Sequence, residues 1–169
     1  MNTLITSILP YLPKWFSKPF AKPYVAGETI DKAIAQVKLL NQKGFSATLD
    51  ILGEHVKSKD TAENITRQYC KLYHHINDNL LDCTLSVKPT HIGLMISQSE
   101  AILNMSTIAQ NAKEYGNFLR IDMESSQYTN QTFEIFNNCR LITKNVGVAI
   151  QAYLFRSLDD IEKMANNHF

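Results

Sequence analysis

At 169 residues the chain can bury one sizeable core, but it falls short of the roughly 250 residues of a closed eight-unit (β/α) barrel. Seventeen Lys and Arg nearly balance sixteen Asp and Glu for a net charge of +1; no stretch concentrates the basic residues, which argues against a nucleic-acid groove or an anionic membrane patch. Cys70, Cys83 and Cys139 are odd in number, far apart and without CxxC or short Cys/His spacing, so reduced thiols in a cytoplasmic protein and no metal site are expected.

Residues 1–27 read as a leader. Its opening, MNTLITSILPYLPKWF, lacks a basic n-region, and Pro10 and Pro13 interrupt its apolar run, so neither a signal peptide nor a membrane span is expected. Two readings stay open for it: an aromatic segment packing on the domain, or one resting on the inner face of the cytoplasmic membrane. A strict alternation then begins. Thr29 can cap a helix with Ile30, Ala33, Ile34, Val37 and Leu40 at helical spacing, ended by Gly44. A β-branched and aliphatic run follows at 46–52 (SATLDIL), and a helix at 60–79 carries Ile65, Tyr69, Leu72 and Ile76 on one face. The second strand is 83–89 (CTLSVKP), stopped by Pro89. A helix over 99–115 closed by Gly116, a strand over 118–124, a helix over 130–143 and a strand over 147–154 complete the series. Ser157 with Asp160 resembles a capping box that opens a last helix over 158–166.

Strands alternating with helices predict a parallel sheet in an α/β fold. Each strand divides by period two. One face is apolar: Ala47, Leu49 and Ile51; Cys83, Leu85 and Val87; Leu119, Ile121 and Met123; Val148, Ile150, Ala152 and Leu154. The other carries Thr48 and Asp50; Thr84, Ser86 and Lys88; Arg120, Asp122 and Glu124; Ala149, Gln151 and Tyr153. An open antiparallel sheet with one solvated face gives the same alternation, but the intervening helices argue against it. In a barrel the polar face points inward, where packing alone would select branched aliphatics and unpaired polar groups cost about 1–3 kcal/mol each. That arrangement indicates a ligand or an internal ion-pair network. Lys88, Asp122 and Gln151 lie nearest the strand C-termini, where barrel active sites form. A lysine and an aspartate on one cavity can hold a zwitterionic substrate or tune each other's proton affinity; Asp122 can equally be a structural partner of Arg120 or Lys88.

SVKP (86–89), YGNFLRIDMES (115–125) and NVGVAIQAYLFRS (145–157), with the earlier KPYVAGETIDKAIAQVKLLNQKGFSATLDILGEHV, together resemble the proline dehydrogenase family from about Phe20 onward. The resemblance implies the first four β-α units of a distorted (β/α)8, TIM-like barrel over 28–169, preceded by the leader and an N-terminal helix. It implies FAD as cofactor, L-proline as substrate oxidised to Δ1-pyrroline-5-carboxylate, and a membrane quinone as electron acceptor. Lys88 would lie beside substrate and flavin, Asp122 would be a catalytic-site residue, Met123 would touch the FAD and Gln151 would hydrogen-bond the flavin ring. Arg156 falls in a family block with a structural role. The family's fifth strand (RLVKGAY-like) and the late helix that clamps the substrate carboxylate have no counterpart, so this chain is expected to be inactive alone. The alternative is a non-catalytic half-barrel that self-associates through open sheet edges or complements another fragment. A different barrel enzyme would need a Gly-rich phosphate loop or a metal cluster, and neither is visible. His74 and His75 adjoin on a helix and read as surface residues; His55, in a loop at the active-site end, is a weaker substrate candidate.

Overall fold

A computed structural model describes residues 25–166; the leader up to residue 24, with both readings of it, lies outside them. Helix α1 (Ile30–Gln42) leads into strand β1 (Ala47–Leu49), α2 (Lys59–Asp78), β2 (Cys83–Val87), α3 (Gln98–Glu114), β3 (Leu119–Ile121), α4 (Thr129–Ile142), β4 (Val146–Val148) and α5 (Ser157–Asn166). Two short 3-10 turns, Pro89–Ile92 and Ser126–Tyr128, follow β2 and β3 and have no periodic signal in the sequence. The Thr29 hydroxyl caps α1, accepting from the Lys32 amide at 3.4 Å. Gly44 (φ +81°) and Gly116 (φ +62°) take the left-handed conformation that ends α1 and α3, a state most side chains resist.

All four strands are parallel in the order β1-β2-β3-β4. The register produces alternating rows across the sheet. Leu49, Leu85, Leu119 and Val146 form one apolar row, and Val87, Ile121 and Val148 the next. Between them lie Ser86, Arg120 and Gly147, and beside them Thr48 and Thr84, whose hydroxyls meet at 3.1 Å. The apolar rows enter one core with Tyr69, Tyr73, Met105 and Ile108 from the helices. Leu85, Val87, Leu119 and Ile121 are fully buried there, each contributing about 1.5–3 kcal/mol of transfer free energy. This is the parallel α/β arrangement expected from the alternation.

Several local expectations need correction. Strands β1 and β3 stop at Leu49 and Ile121 rather than at 52 and 124. The fourth strand ends at Val148 rather than 154. The main chain turns back on itself, with the Gln151 carbonyl accepting from the Leu154 amide at 3.2 Å and the Ser157 hydroxyl at 2.6 Å. Alternation past residue 148 therefore carries no sheet face. The same bond removes the capping box: Ser157 is already helical and spends its hydroxyl on Gln151. The Asp160 carboxylate instead takes Arg156, at 2.7 and 3.0 Å. Arg156 also reaches Asn130 at 2.7 Å, so it ties α5 to α4, in line with a structural role.

Candidate active site at the strand ends

The C-terminal ends of β1, β2 and β3 deliver Asp50, Lys88 and Asp122 to one place. The Lys88 ammonium contacts Asp50 Oδ2 directly and lies 4.0 Å from Asp122 Oδ2. The other oxygen of each carboxylate is held by the scaffold. Asp50 Oδ1 accepts from the Tyr69 hydroxyl at 2.9 Å. Asp122 Oδ1 accepts from the Ser86 hydroxyl and from Arg120 Nε, the latter at 3.1 Å. The three charged side chains are about a quarter exposed (25% and 24%), so the cluster stands open to a ligand yet is partly withdrawn from water. Both pairings considered for Asp122, with Arg120 and with Lys88, are present together.

The other two sequence candidates lie one step further along. Met123 is buried, and its carbonyl accepts from Gln151 Nε2 at 3.2 Å. Gln151 Oε1 is buried without a hydrogen-bond partner. A buried amide oxygen in that state costs about 1–3 kcal/mol, so an N–H donor from a ligand fits it. Of the buried polar atoms without partners among the described residues, this oxygen, beside the Met123 carbonyl, suits the N–H donor on the pyrimidine edge of a flavin ring.

Sequence reasoning missed a second layer that sets the loops. The Thr90 hydroxyl donates to Glu124 at 2.6 Å and accepts from the His55 amide at 3.1 Å. The Thr90 amide donates to the same carboxylate at 2.8 Å, and its carbonyl accepts from the Val56 amide at 3.0 Å. Thr90 thus joins the loop after β1 to the end of β3. Beside it the buried His91 ring packs under Gly53, and its Nδ1 has no hydrogen-bond partner. A lone Thr-His after a proline gives no sequence signal for this, because its partners sit more than thirty residues away. His55 itself points outward, 3.6 Å from Glu54. His74 is exposed on α2, 3.2 Å from Asp78, as a surface residue would be.

Burial pushes the His91 pKa below its ordinary value of 6.5; the positive charge of Lys88 adds to this, while Asp50 and the Ile51 carbonyl oppose it. The folded protein therefore binds this proton more weakly than the unfolded chain does. Stability from the neutral ring is full above pH about 6.5 and is lost as pH falls below that value. Urea unfolding between pH about 7 and 5 should show stability declining, and His91→Gln should flatten the decline; an equal slope in the variant would remove His91 as its source.

Burial raises Cys83 to about 11 and Cys139 to about 12, which keeps both as thiols. Among the described residues no three His, Cys, Asp or Glu side chains gather as metal ligands, and no helix is long and apolar enough to cross a membrane.

Comparison with known proteins bears on this geometry. A family model described as proline dehydrogenase matches residues 33–167. Proline dehydrogenase 1 of Bacillus subtilis subsp. natto is 39% identical over 144 residues, covering 85% of this chain and 48% of that protein. The proline dehydrogenase of Deinococcus radiodurans is 31% identical over 145 residues, 83% of this chain and 47% of its own. Among solved structures, proline utilization A from Bdellovibrio bacteriovorus, inactivated by N-propargylglycine, superposes with a TM-score of 0.77 at 23% identity, over 84% of this chain and 18% of that one. The likeness extends to the fold alone at that identity. The chain spans about half the length of the curated relatives it matches.

Proposed function

The chain belongs to the proline dehydrogenase family, and on that premise we propose that it carries one side of a flavin-dependent site oxidising L-proline to Δ1-pyrroline-5-carboxylate. The observation that supports this best is the convergence of Lys88, Asp50 and Asp122 at the strand ends, with the Gln151 amide, whose oxygen is orphaned, bonded to the carbonyl of Met123, the residue after Asp122. FAD, when bound, supplies the hydride acceptor. Gln151 would hold the ring through its free oxygen, and the Met123 segment would lie against it.

The chain's own side chains bind and orient. Lys88 lies between two fixed carboxylates, so it offers its remaining N–H to an anionic group such as the proline carboxylate. Asp122, immobilised by Ser86 and Arg120, presents Oδ2 toward the ligand side, where it can orient or deprotonate the proline ammonium. Fixing both partners ahead of substrate arrival is what makes such contacts effective. Electrons would pass onward to a quinone, and a cytoplasmic protein resting on the inner membrane face suits that acceptor.

The 169 residues on their own are expected to be colourless and to reduce no dye with L-proline, since four strands enclose only one side of a site. Supplied with a polypeptide bearing the remaining strands of a relative, they should bind flavin and gain proline-dependent bleaching. Asp122→Ala should abolish the bleaching while flavin stays bound. Bleaching that persists in the variant would remove Asp122 from the site, and failure of any flavin to bind would count against the reading as a whole.

Association of copies is a second reading, favoured by one observation. Tyr153, Phe155 and Leu158, in the segment that follows β4, are strongly exposed (78%, 105% and 67%), and β4 pairs on one side only among the described residues. Open parallel edges invite such pairing.

A further inference from the structure

Asp50 makes the direct contact with Lys88, whereas Asp122 stands 4.0 Å away. Yet β1 ends at Leu49, so Asp50 follows the last ladder residue and the sheet does not fix its backbone. Something else must hold its carboxylate. We propose that Tyr69 and Asp50 are positioning residues for Lys88: the phenol of α2 fixes the carboxylate, and the carboxylate fixes the ammonium at the site. The inference rests on the reading of Lys88 as a residue facing the substrate.

Three features carry it. Tyr69 is fully buried in the core, where a phenylalanine would fill the same space. Its hydroxyl nonetheless uses both of its functions on one segment, donating to Asp50 Oδ1 at 2.9 Å and accepting from the Ile51 amide at 3.2 Å. With the amide occupying an acceptor direction, the phenolic proton is aimed at the carboxylate. The second feature is symmetry of construction. Asp50 and Asp122 each have one oxygen tied to a scaffold hydroxyl, Tyr69 or Ser86, and the other turned toward the same ammonium. Third, burial and the charge of Asp50 push the Tyr69 pKa well above its ordinary value, so the phenol remains a donor throughout the pH range of enzyme chemistry.

Without the phenol, Asp50 can swing toward water and Lys88 loses its nearest counter-ion. A lysine relieved of this carboxylate is no longer pinned by a direct ion pair, so its amine is freer to reach a reagent. Trace acetylation of the 169-residue chain, followed by peptide mass spectrometry, reads this directly, with the exposed Lys43 and Lys113 as internal standards. Tyr69→Phe is expected to raise Lys88 labelling about threefold or more relative to those standards, and Asp50→Asn about tenfold, as befits loss of a hydrogen bond to a charged group. Because Tyr69 acts through Asp50, the double variant should label no faster than Asp50→Asn alone.

Unchanged Lys88 labelling in either single variant would overturn the proposal. So would a rise shared by all lysines, which would mark Tyr69 as a core filler whose loss loosens the fold, or an additive double variant. Asp50→Asn disturbs no buried ring, so it tests the carboxylate even where Tyr69→Phe lowers stability. The readout needs no flavin. Failure of the flavin-dependent reading with the labelling pattern intact would leave the Tyr69–Asp50–Lys88 linkage standing and remove only the substrate facing it.

Discussion

Lys88→Met, in protein assembled with a polypeptide bearing the remaining strands of a relative, is expected to lower kcat/KM for L-proline about 10²-fold, chiefly through KM, with bound flavin retained. The expectation follows from the charges at the strand ends. With Lys88 present, its ammonium stands between the two carboxylates; without it, an incoming substrate carboxylate meets both anions and only the Arg120 guanidinium, which Asp122 Oδ1 already engages. A unit charge about 6 Å away contributes about 3 kcal/mol at an effective dielectric of about 20, which is about two decades in binding. Methionine keeps most of the stem volume, so packing is little changed. Lys88→Arg should recover only part of the loss, because a planar fork does not fit between two carboxylates arranged about a point charge. Steady-state kinetics with flavin content measured in parallel decides it: a change below about threefold would show that Lys88 neutralises the aspartates without touching substrate.

Gly53→Ala is expected to cost about 2–5 kcal/mol of stability, an unusually large effect for an exposed loop position. Two causes combine. Gly53 has φ +151°, a conformation that side chains with a Cβ rarely adopt. An added Cβ would also stand 2.3 Å from His91 Nε2, and the buried imidazole cannot easily retreat. The double variant Gly53→Ala/His91→Ala should recover the steric part and leave the backbone part, so the cycle separates them. Urea unfolding monitored by circular dichroism measures both; a loss under about 0.5 kcal/mol would mean that the loop moves aside instead. A loop that does move should also alter the site, since Thr90 ties its next residues to Glu124.

Several features of this protein were readable from the chain itself. Helix positions followed from apolar residues at 3.6-residue spacing, since a helix buries one stripe whatever it packs on. Strand identity followed from β-branched runs between Gly and Pro, and the two faces of β1 to β3 from strict alternation. Lys88 and Asp122 were visible because charged residues on an otherwise inward face demand a reason. The resemblance through RIDMES and the IQAYL block added the family that the later comparisons showed.

What the tertiary structure alone decided was which charges meet. Asp50 carried the same period-two signal as Thr48, and nothing in the sequence said that it, rather than Asp122, would make the direct contact with Lys88. Tyr69 lay on an apolar helical stripe and read as core; its hydroxyl became informative only when α2 folded over the end of β1, nineteen residues back. Alternation overran the fourth strand because a hydroxyl at Ser157 captured the Gln151 carbonyl and turned the chain, a bond that period-two patterning does not encode. Periodicity records which side of an element is dry, whereas hydrogen bonds and ion pairs depend on side-chain reach across elements, and that is fixed only once the elements have packed.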